Sequence, residues 1–160
     1  MKTLLLVRHA KSSWGDPGLA DHERPLNERG LRDAPEMGRR LHARGIRPDV
    51  IRSSTALRAR TTAFLIAEEL GLAADAVVLD ERLYGSSSAM ILDLVAELEA
   101  GVSVAMIVAH DPGLSDLAFD LSGTIEHMPT CAVAEFSFEV DDWAQLDQAD
   151  PVDVRFDTPR

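Results

Sequence analysis

The sequence predicts a three-layer α/β fold in which helices flank a mostly parallel central sheet. Two observations carry this prediction. Short apolar runs typical of buried strands alternate with longer stretches of helical periodicity, and no repeat or linker-like tract divides them. The chain has 160 residues, of which 46% are apolar, enough for one substantial core. We therefore expect a single domain over residues 1–160.

Three apolar runs predict strands that are covered on both faces. Residues 3–7 and 104–109 form continuous runs, and residues 50–51 with their flanks form a less regular third run. Short runs of this kind suit a parallel sheet that is packed on both faces. Between residues 133 and 140 apolar and polar side chains alternate instead, which predicts a half-exposed strand nearer an edge.

The first predicted helix follows the first strand. Asn27 can cap a helix that runs to about residue 44 and is ended by Gly45, with a kink expected at Pro35. The predicted buried face of this helix contains Leu31, Ala34, Gly38 and Leu41.

Three more helices are predicted further along the chain. They are expected at about residues 56–70 and 89–100, each ended by a glycine, and in a short stretch after Pro112. Because strand and helix alternate, right-handed crossovers should connect the parallel strands.

Charge is distributed unevenly along the chain. The formal net charge is −11, yet residues 1–60 hold 13 of the 16 Lys and Arg and only 7 of the 27 Asp and Glu, a net charge of +6. An acidic protein with this asymmetry could focus a small anion into one cleft. The overall negative charge argues against nucleic acid and against anionic membrane surfaces as partners.

The single cysteine and the length of the first apolar run indicate the cellular compartment of the protein. Cys131 is the only cysteine, so no internal disulfide can form, and residues 3–7 are too short an apolar run for a signal-peptide core. No run approaches the roughly 20 apolar residues of a membrane span. We therefore expect a cytoplasmic protein without a membrane partner.

Polar side chains follow the predicted strands at the point where each strand ends. The first strand runs into Arg8 and His9, and the strand at residues 104–109 runs into His110. Arg58 lies just inside the helix that follows a third strand. In a parallel sheet, ligands bind outside the carboxyl ends of the strands. These four side chains should therefore meet in one crevice.

Such a group of side chains suits phosphoryl transfer. Guanidinium groups match phosphoryl oxygens, and a neutral imidazole can attack phosphorus directly, so either His9 or His110 could be the nucleophile. The remaining histidines lie in unrelated segments, and no HxH, CxxC or HExxH spacing occurs. We therefore expect neither a metal nor another cofactor.

Four motifs together carry a resemblance to a known family. They are LVRHA at residues 6–10, RPLNERG at 24–30, SSTALRARTTA at 53–63 and VAHDPG at 108–113. Their order and spacing resemble the histidine phosphatase, or phosphoglycerate mutase-like, superfamily, with Ala10 where glycine is usual. The resemblance implies a phosphoglycerate mutase-like fold and a metal-independent phosphatase.

The resemblance also implies roles for single residues. It makes His9 the nucleophile that becomes phosphohistidine, and makes Arg8, Arg58 and His110 the groups that bind the phosphoryl oxygens. Arg60 is the weaker alternative to Arg58.

Several features are similar to the SixA-type phosphohistidine phosphatase branch. They are the short chain, the KSSW sequence at residues 11–14, and a compact segment between residues 79 and 104. Mutases of the family would place asparagine where this chain has Gly15. The implied partner is a phosphorylated protein that carries phosphohistidine. The alternatives are a small phosphate ester as substrate, or a phosphate-binding regulatory module without turnover.

The general acid is expected near residue 81. The segment LDERLYG at residues 79–85 resembles the part of mutase-like members that carries their acidic residue, with Glu81 as its counterpart. An ester needs such an acid because an alkoxide is a poor leaving group, whereas a leaving imidazole is protonated readily. The alternative is that Glu81 is a surface carboxylate. For Asp111 we expect a turn or helix-capping role.

Overall fold

The computed structural model describes residues 1–160 and contains one six-stranded sheet. The strands are β1 (Lys2–Arg8), β2 (Val50–Ser53), β3 (Val77–Leu79), β4 (Val104–Ala109), β5 (Val133–Phe138) and β6 (Asp153–Asp157). Their order across the sheet is β3-β2-β4-β1-β5-β6. The first four strands in that order pair in parallel, whereas β5 is antiparallel to β1 and to β6. A mostly parallel sheet is therefore confirmed.

Four α-helices and four short 3-10 helices connect the strands. The α-helices are α1 (Glu28–Ala43), α2 (Leu57–Glu69), α3 (Ser88–Ala96) and α4 (Gly113–Ser122). The 3-10 helices span Asp21–Glu23, Ala74–Ala76, Glu81–Leu83 and Trp143–Gln148. No helix is long and apolar enough to cross a membrane.

The sheet separates two apolar clusters, which makes the fold three layers deep. Leu5 and Val7 of β1 belong to the cluster that packs under α1 and α2. Leu4 and Leu6 belong to the cluster under α3, α4 and Trp143. Because successive side chains of a strand point to opposite faces, a strand buried on both faces is apolar throughout. This confirms the predicted fold class.

Helix α1 has the predicted ends but a different buried face. The Asn27 side chain accepts a hydrogen bond from the Gly30 amide at 2.9 Å, and Gly45 has a φ of +76° after the last turn. Leu31, however, is 50% exposed, and Met37 is buried in its place. At about 100° per residue, Leu31 lies roughly 90° around the helix from the centre of the buried face. The helix is continuous through Pro35.

Helix α3 is shorter than its sequence pattern predicts. The periodic stretch was expected to continue to about residue 100, but the helix ends at Ala96. The amides of Glu97 and Leu98 bond three residues back, to Leu94 and Val95. This tighter last turn carries Leu98, which is 6% exposed, into the core before the chain enters β4.

The predicted half exposure of the strand at residues 133–140 is wrong. Strand β5 is next to the edge, as expected, but five of its six residues are buried. The reason is β6, which pairs along its outer side and takes the edge position with five exposed residues. The sequence pattern did not predict β6, or the three-residue β3 at the opposite edge.

Candidate active site

The predicted functional side chains meet at the carboxyl ends of β1, β2 and β4. Arg8 is the last residue of β1 and is followed by His9, whereas His110 directly follows β4. Because β1 and β4 are parallel neighbours, with Arg8 opposite Ala109, the two imidazole centroids lie 5.1 Å apart. Arg58 reaches the same place from the first turn of α2.

Helices leave this point on opposite faces of the sheet. The chain after β1 enters α1 on one face, and the chain after β4 enters α4 on the other. That divergence opens a crevice above neighbouring strands, as in other parallel α/β proteins. The cleft has a volume of about 290 Å³ and is lined by Arg8, His9, Lys11, Ser12, Trp14, Arg24, Arg58, His110, Asp111 and Thr130.

The His9 ring is held in one tautomer. Its Nδ1 lies 2.7 Å from the carbonyl oxygen of Ala10. Since a carbonyl can only accept, Nδ1 carries the proton and Nε2 keeps its lone pair. Burial, reinforced by the positive charges of Arg58 and Arg8, lowers the pKa of His9 to about 3. The ring is therefore neutral at pH 7 and nucleophilic at Nε2.

His110 is also neutral but is bonded differently. Its Nε2 lies 2.7 Å from the Ser54 hydroxyl, and its Nδ1 is buried without a partner. Burial, together with the nearby positive charges of Arg58 and Arg8, lowers the pKa of His110 to about 4.

Both arginines are oriented by protein oxygens. Arg58 donates to the carbonyl of Asp21 at 2.7 Å and to its carboxylate at 3.0 Å. Arg8 donates to the carbonyl of Met128 at 3.0 Å, and its Nε is buried without a partner. Fixing a guanidinium in advance reduces the entropy lost when it binds an anion.

Asp21 is the centre of a network that the sequence did not predict. Besides Arg58, its carboxylate accepts from the Tyr84 hydroxyl at 2.6 Å and from Arg24 at 2.9 Å. The hydrogen bond from Tyr84, with those from the two arginines, holds the pKa of Asp21 well below its usual range. Asp21 begins the short 3-10 helix Asp21–Glu23, in a segment without apolar periodicity, and no sequence signal marks it.

A tight contact holds the segment after His9 in place. The amide of Asn27 donates to the Lys11 carbonyl at 3.0 Å. A Cβ added at Gly30 would overlap the same carbonyl oxygen. Glycine in the first turn of α1 therefore lets the helix pack directly on the segment that carries Lys11 and Ser12 into the cleft.

Comparison with known proteins identifies the family. The model of the histidine phosphatase superfamily (branch 1) matches residues 4–92. The chain belongs to this superfamily. The match includes Arg8, His9 and Arg58, whereas His110 lies outside it.

Relatives of this histidine phosphatase match it over nearly its whole length. An uncharacterized Mycobacterium tuberculosis protein, Rv1276c, is 34% identical over 96% of this chain and 100% of its own length. The structure of a SixA protein from Nakamurella multipartitia is 28% identical, with a TM-score of 0.83 over 96% of this chain and 95% of that one. The predicted resemblance to SixA proteins is therefore confirmed.

A more distant structure shares the fold alone. A mycobacterial glucosyl-3-phosphoglycerate phosphatase has a TM-score of 0.69 at 20% identity, over 99% of this chain and 98% of that one. The phosphoglycerate mutase-like architecture is therefore common to proteins whose names refer to different substrates.

The structure does not bring Glu81 into the cleft of this histidine phosphatase. Glu81 is exposed at the start of a 3-10 helix and is not among the lining residues. The adjacent Arg82 is bonded to Asp80 and Glu97 rather than to Glu81. The role of Glu81 as a general acid stays a prediction. Arg60 is likewise absent from the cleft lining.

Asp111 has the capping role expected from the sequence. Its carboxylate accepts from the amide and the hydroxyl of Ser115, at 3.0 and 2.7 Å, in the first turn of α4. It also lies 3.7 Å from Arg8. No group of three or more His, Cys, Asp or Glu side chains is arranged to hold a metal ion.

The low histidine pKa values predict a specific pH dependence of stability. Between about pH 6.5 and pH 3 the unfolded chain binds a proton at His9 that the folded protein does not. Stability must therefore fall with falling pH in this window. Between pH 7 and pH 5, wild type should lose about 2 kcal/mol more unfolding free energy than His9→Gln, which lacks this proton.

Urea unfolding in phosphate-free buffer at the two pH values measures this difference. An anion in the cleft would favour the charged imidazole. Saturating tungstate should therefore reduce the difference in pH dependence between wild type and His9→Gln. The same pH dependence in wild type and variant would mean that His9 is not buried in its neutral form.

Proposed function

We propose that this histidine phosphatase hydrolyses protein-borne phosphohistidine, without a metal, through a covalent phosphohistidine on His9. The observation that carries the proposal is the hydrogen bond between the His9 ring and the Ala10 carbonyl. Its Nδ1 is tied to a carbonyl and its ring is neutral, so Nε2 is a free nucleophile beside Arg8, Arg58 and His110.

The proposed reaction has two displacements at phosphorus. In the first, the Nε2 lone pair of His9 forms a bond to phosphorus, the bond to the leaving nitrogen breaks, and that nitrogen takes up a proton. In the second, water attacks the phosphoryl group on His9 and gives up a proton. The bond to Nε2 then breaks, releasing inorganic phosphate and restoring the neutral ring.

Arg8, Arg58 and His110 would hold the nonbridging oxygens of the phosphoryl group. Charge on these oxygens is shared in the transition state, where donors fixed in advance are most effective. The Arg8 guanidinium and the His110 ring line the cleft, and Arg58, which lines it too, is already oriented by Asp21. A cleft with this donor set needs no metal to neutralise the phosphoryl group.

The choice of phosphohistidine over an ester rests on the leaving group. An imidazole leaves without strong acid assistance, and no carboxylic acid other than the capping residue Asp111 lines the cleft. The similarity to SixA proteins, some of them named phosphohistidine phosphatases, supports the same choice.

A small phosphate ester is the second candidate substrate. The observation in its favour is the fold shared with a glucosyl-3-phosphoglycerate phosphatase. For an ester, Glu81 remains the proposed proton donor, and it would have to reach the cleft from its exposed position outside the lining.

Phosphate release in the presence of a chelator tests both candidates. The substrates are a phosphohistidine peptide, 4-nitrophenyl phosphate and an alkyl phosphate, assayed with wild type and Glu81→Gln. We expect phosphohistidine turnover that a chelator leaves unchanged and vanadate blocks, with Glu81→Gln lowering it by less than about 10²-fold.

Three results would contradict the proposal. Activity that is lost on chelation and restored by a divalent ion would refute metal independence. Preference for the alkyl ester, with a large loss in Glu81→Gln, would favour the second candidate. The absence of turnover on every substrate, with vanadate still bound, would identify a phosphate-binding module.

A further inference from the structure

Trp14 is an exposed aromatic side chain at the edge of the cleft. Its indole is 74% exposed, more than any other large apolar side chain of the protein. It nevertheless lines the same cleft as His9 and Arg58. Aromatic side chains are common in the lining of ligand-binding clefts, so Trp14 is placed to contact a bound substrate.

A buried arginine supports one face of this ring. The Arg24 guanidinium carbon lies 3.2 Å from a ring centroid of Trp14, in a cation–π contact. Arg24 is itself only 7% exposed. It donates to the hydroxyl of Ser12 at 2.5 Å, to the carbonyl of Ser13 at 3.1 Å and to Asp21 at 2.9 Å. The ring therefore rests on a fixed base, and its other face is free.

The position of Trp14 suits the leaving group of the substrate. In an in-line displacement the leaving atom departs on the side of phosphorus opposite the nucleophile. His9 is 8% exposed, so a phosphoryl group in contact with it has its leaving group towards the mouth of the cleft. The exposed Trp14 ring is at that mouth.

We infer that the free face of Trp14 is a specificity platform on which the planar leaving group of the substrate stacks. This inference deepens the proposed function and rests on it. The ligand class is a phosphorylated ring, which can be the imidazole of phosphohistidine or the phenol of phosphotyrosine. A planar ring stacks on an indole over its whole face, whereas an alkyl or ammonia leaving group does not.

The effect of Trp14→Ala on substrates with and without a ring in the leaving group tests this inference. Phosphoramidate has the phosphorus–nitrogen bond of phosphohistidine but no ring, and phosphoserine and phosphotyrosine peptides form a matched pair of esters. For Trp14→Ala, kcat/KM should fall about 5- to 10-fold on phosphohistidine and phosphotyrosine, and less than about twofold on phosphoramidate and phosphoserine. Trp14→Phe, which keeps a planar ring, should recover most of the loss.

Vanadate inhibition is the control, because vanadate has no leaving group. Its inhibition constant should be the same in wild type and Trp14→Ala if the phosphoryl site is intact. Two outcomes would overturn the inference that Trp14 is a platform for the leaving group. One is an equal loss of kcat/KM on ring and ring-free substrates, and the other is no loss of kcat/KM on phosphohistidine or on phosphotyrosine.

The two proposals fail in different ways. If wild type does not hydrolyse phosphohistidine but Trp14→Ala selectively loses phosphotyrosine turnover, the phosphohistidine assignment is wrong and the platform stands. If wild type and Trp14→Ala hydrolyse phosphohistidine and phosphotyrosine equally well, the platform is wrong and the phosphohistidine assignment stands.

Discussion

Replacement of His9 by alanine is expected to lower kcat/KM by at least on the order of 10³-fold, because it removes the atom that accepts the phosphoryl group. The neighbouring groups cannot compensate. His110 is 5.1 Å away between ring centroids, and its Nε2 is bonded to Ser54. Phosphate release from phosphohistidine and from 4-nitrophenyl phosphate measures the loss.

The covalent intermediate provides a second measurement of the same prediction. Rapid quenching with labelled substrate should leave acid-labile, base-stable phosphate on His9, and His9→Ala should carry none. His110→Ala is the matched control, because it removes the other imidazole and keeps the proposed nucleophile. Its label should stay on His9. A label found on His110 in wild type would reverse the two roles.

Arg8→Ala and Arg58→Ala should each reduce kcat by at least on the order of 10²-fold, the usual effect of losing one transition-state donor. Both guanidiniums line the cleft and are oriented by protein oxygens. A vanadate inhibition constant measured beside kcat should rise in both variants. A purely structural defect would instead lower the active fraction and leave the affinity of the remainder unchanged.

Arg60→Ala is the matched control for these variants. Arg60 lies two residues from Arg58 on α2, and it does not line the cleft. We expect its kcat to stay within about twofold of wild type, because the half-buried Arg60 side chain lies outside the cleft lining. A large loss in Arg60→Ala combined with normal rates in Arg58→Ala would mean that Arg60, and not Arg58, binds the phosphoryl group.

Much of the site could be predicted because its residues adjoin strand ends. An apolar run such as residues 104–109 identifies a strand on local grounds, and the polar residue after it then lies at the carboxyl edge of the sheet. This reasoning needs only local sequence and the handedness of crossovers. It correctly brought Arg8, His9, Arg58 and His110 into one crevice.

Predictions about burial were weaker where they depended on partners elsewhere in the chain. Strand β5 is buried because β6 pairs with it, and the alternating sequence of β5 contains no sign of that partner. Leu31 has the helical spacing expected of the buried face, but the position of α2 decides which face of α1 is covered. Burial of this kind is set by packing, which periodicity only approximates.

The sequence by itself determined the fold class, the family and the four groups that meet in the cleft, because each depends on residues within or next to one element. Only the tertiary structure decided the electrostatics and the orientation of those groups. The Ser54 bond to His110 joins residues 56 apart, and the Tyr84 bond to Asp21 joins residues 63 apart. The tautomer of His9 is set by the adjacent Ala10 carbonyl, but the orientation of Arg58 and the support of Trp14 follow from contacts between separated segments. They exist only after folding brings distant segments of the chain together.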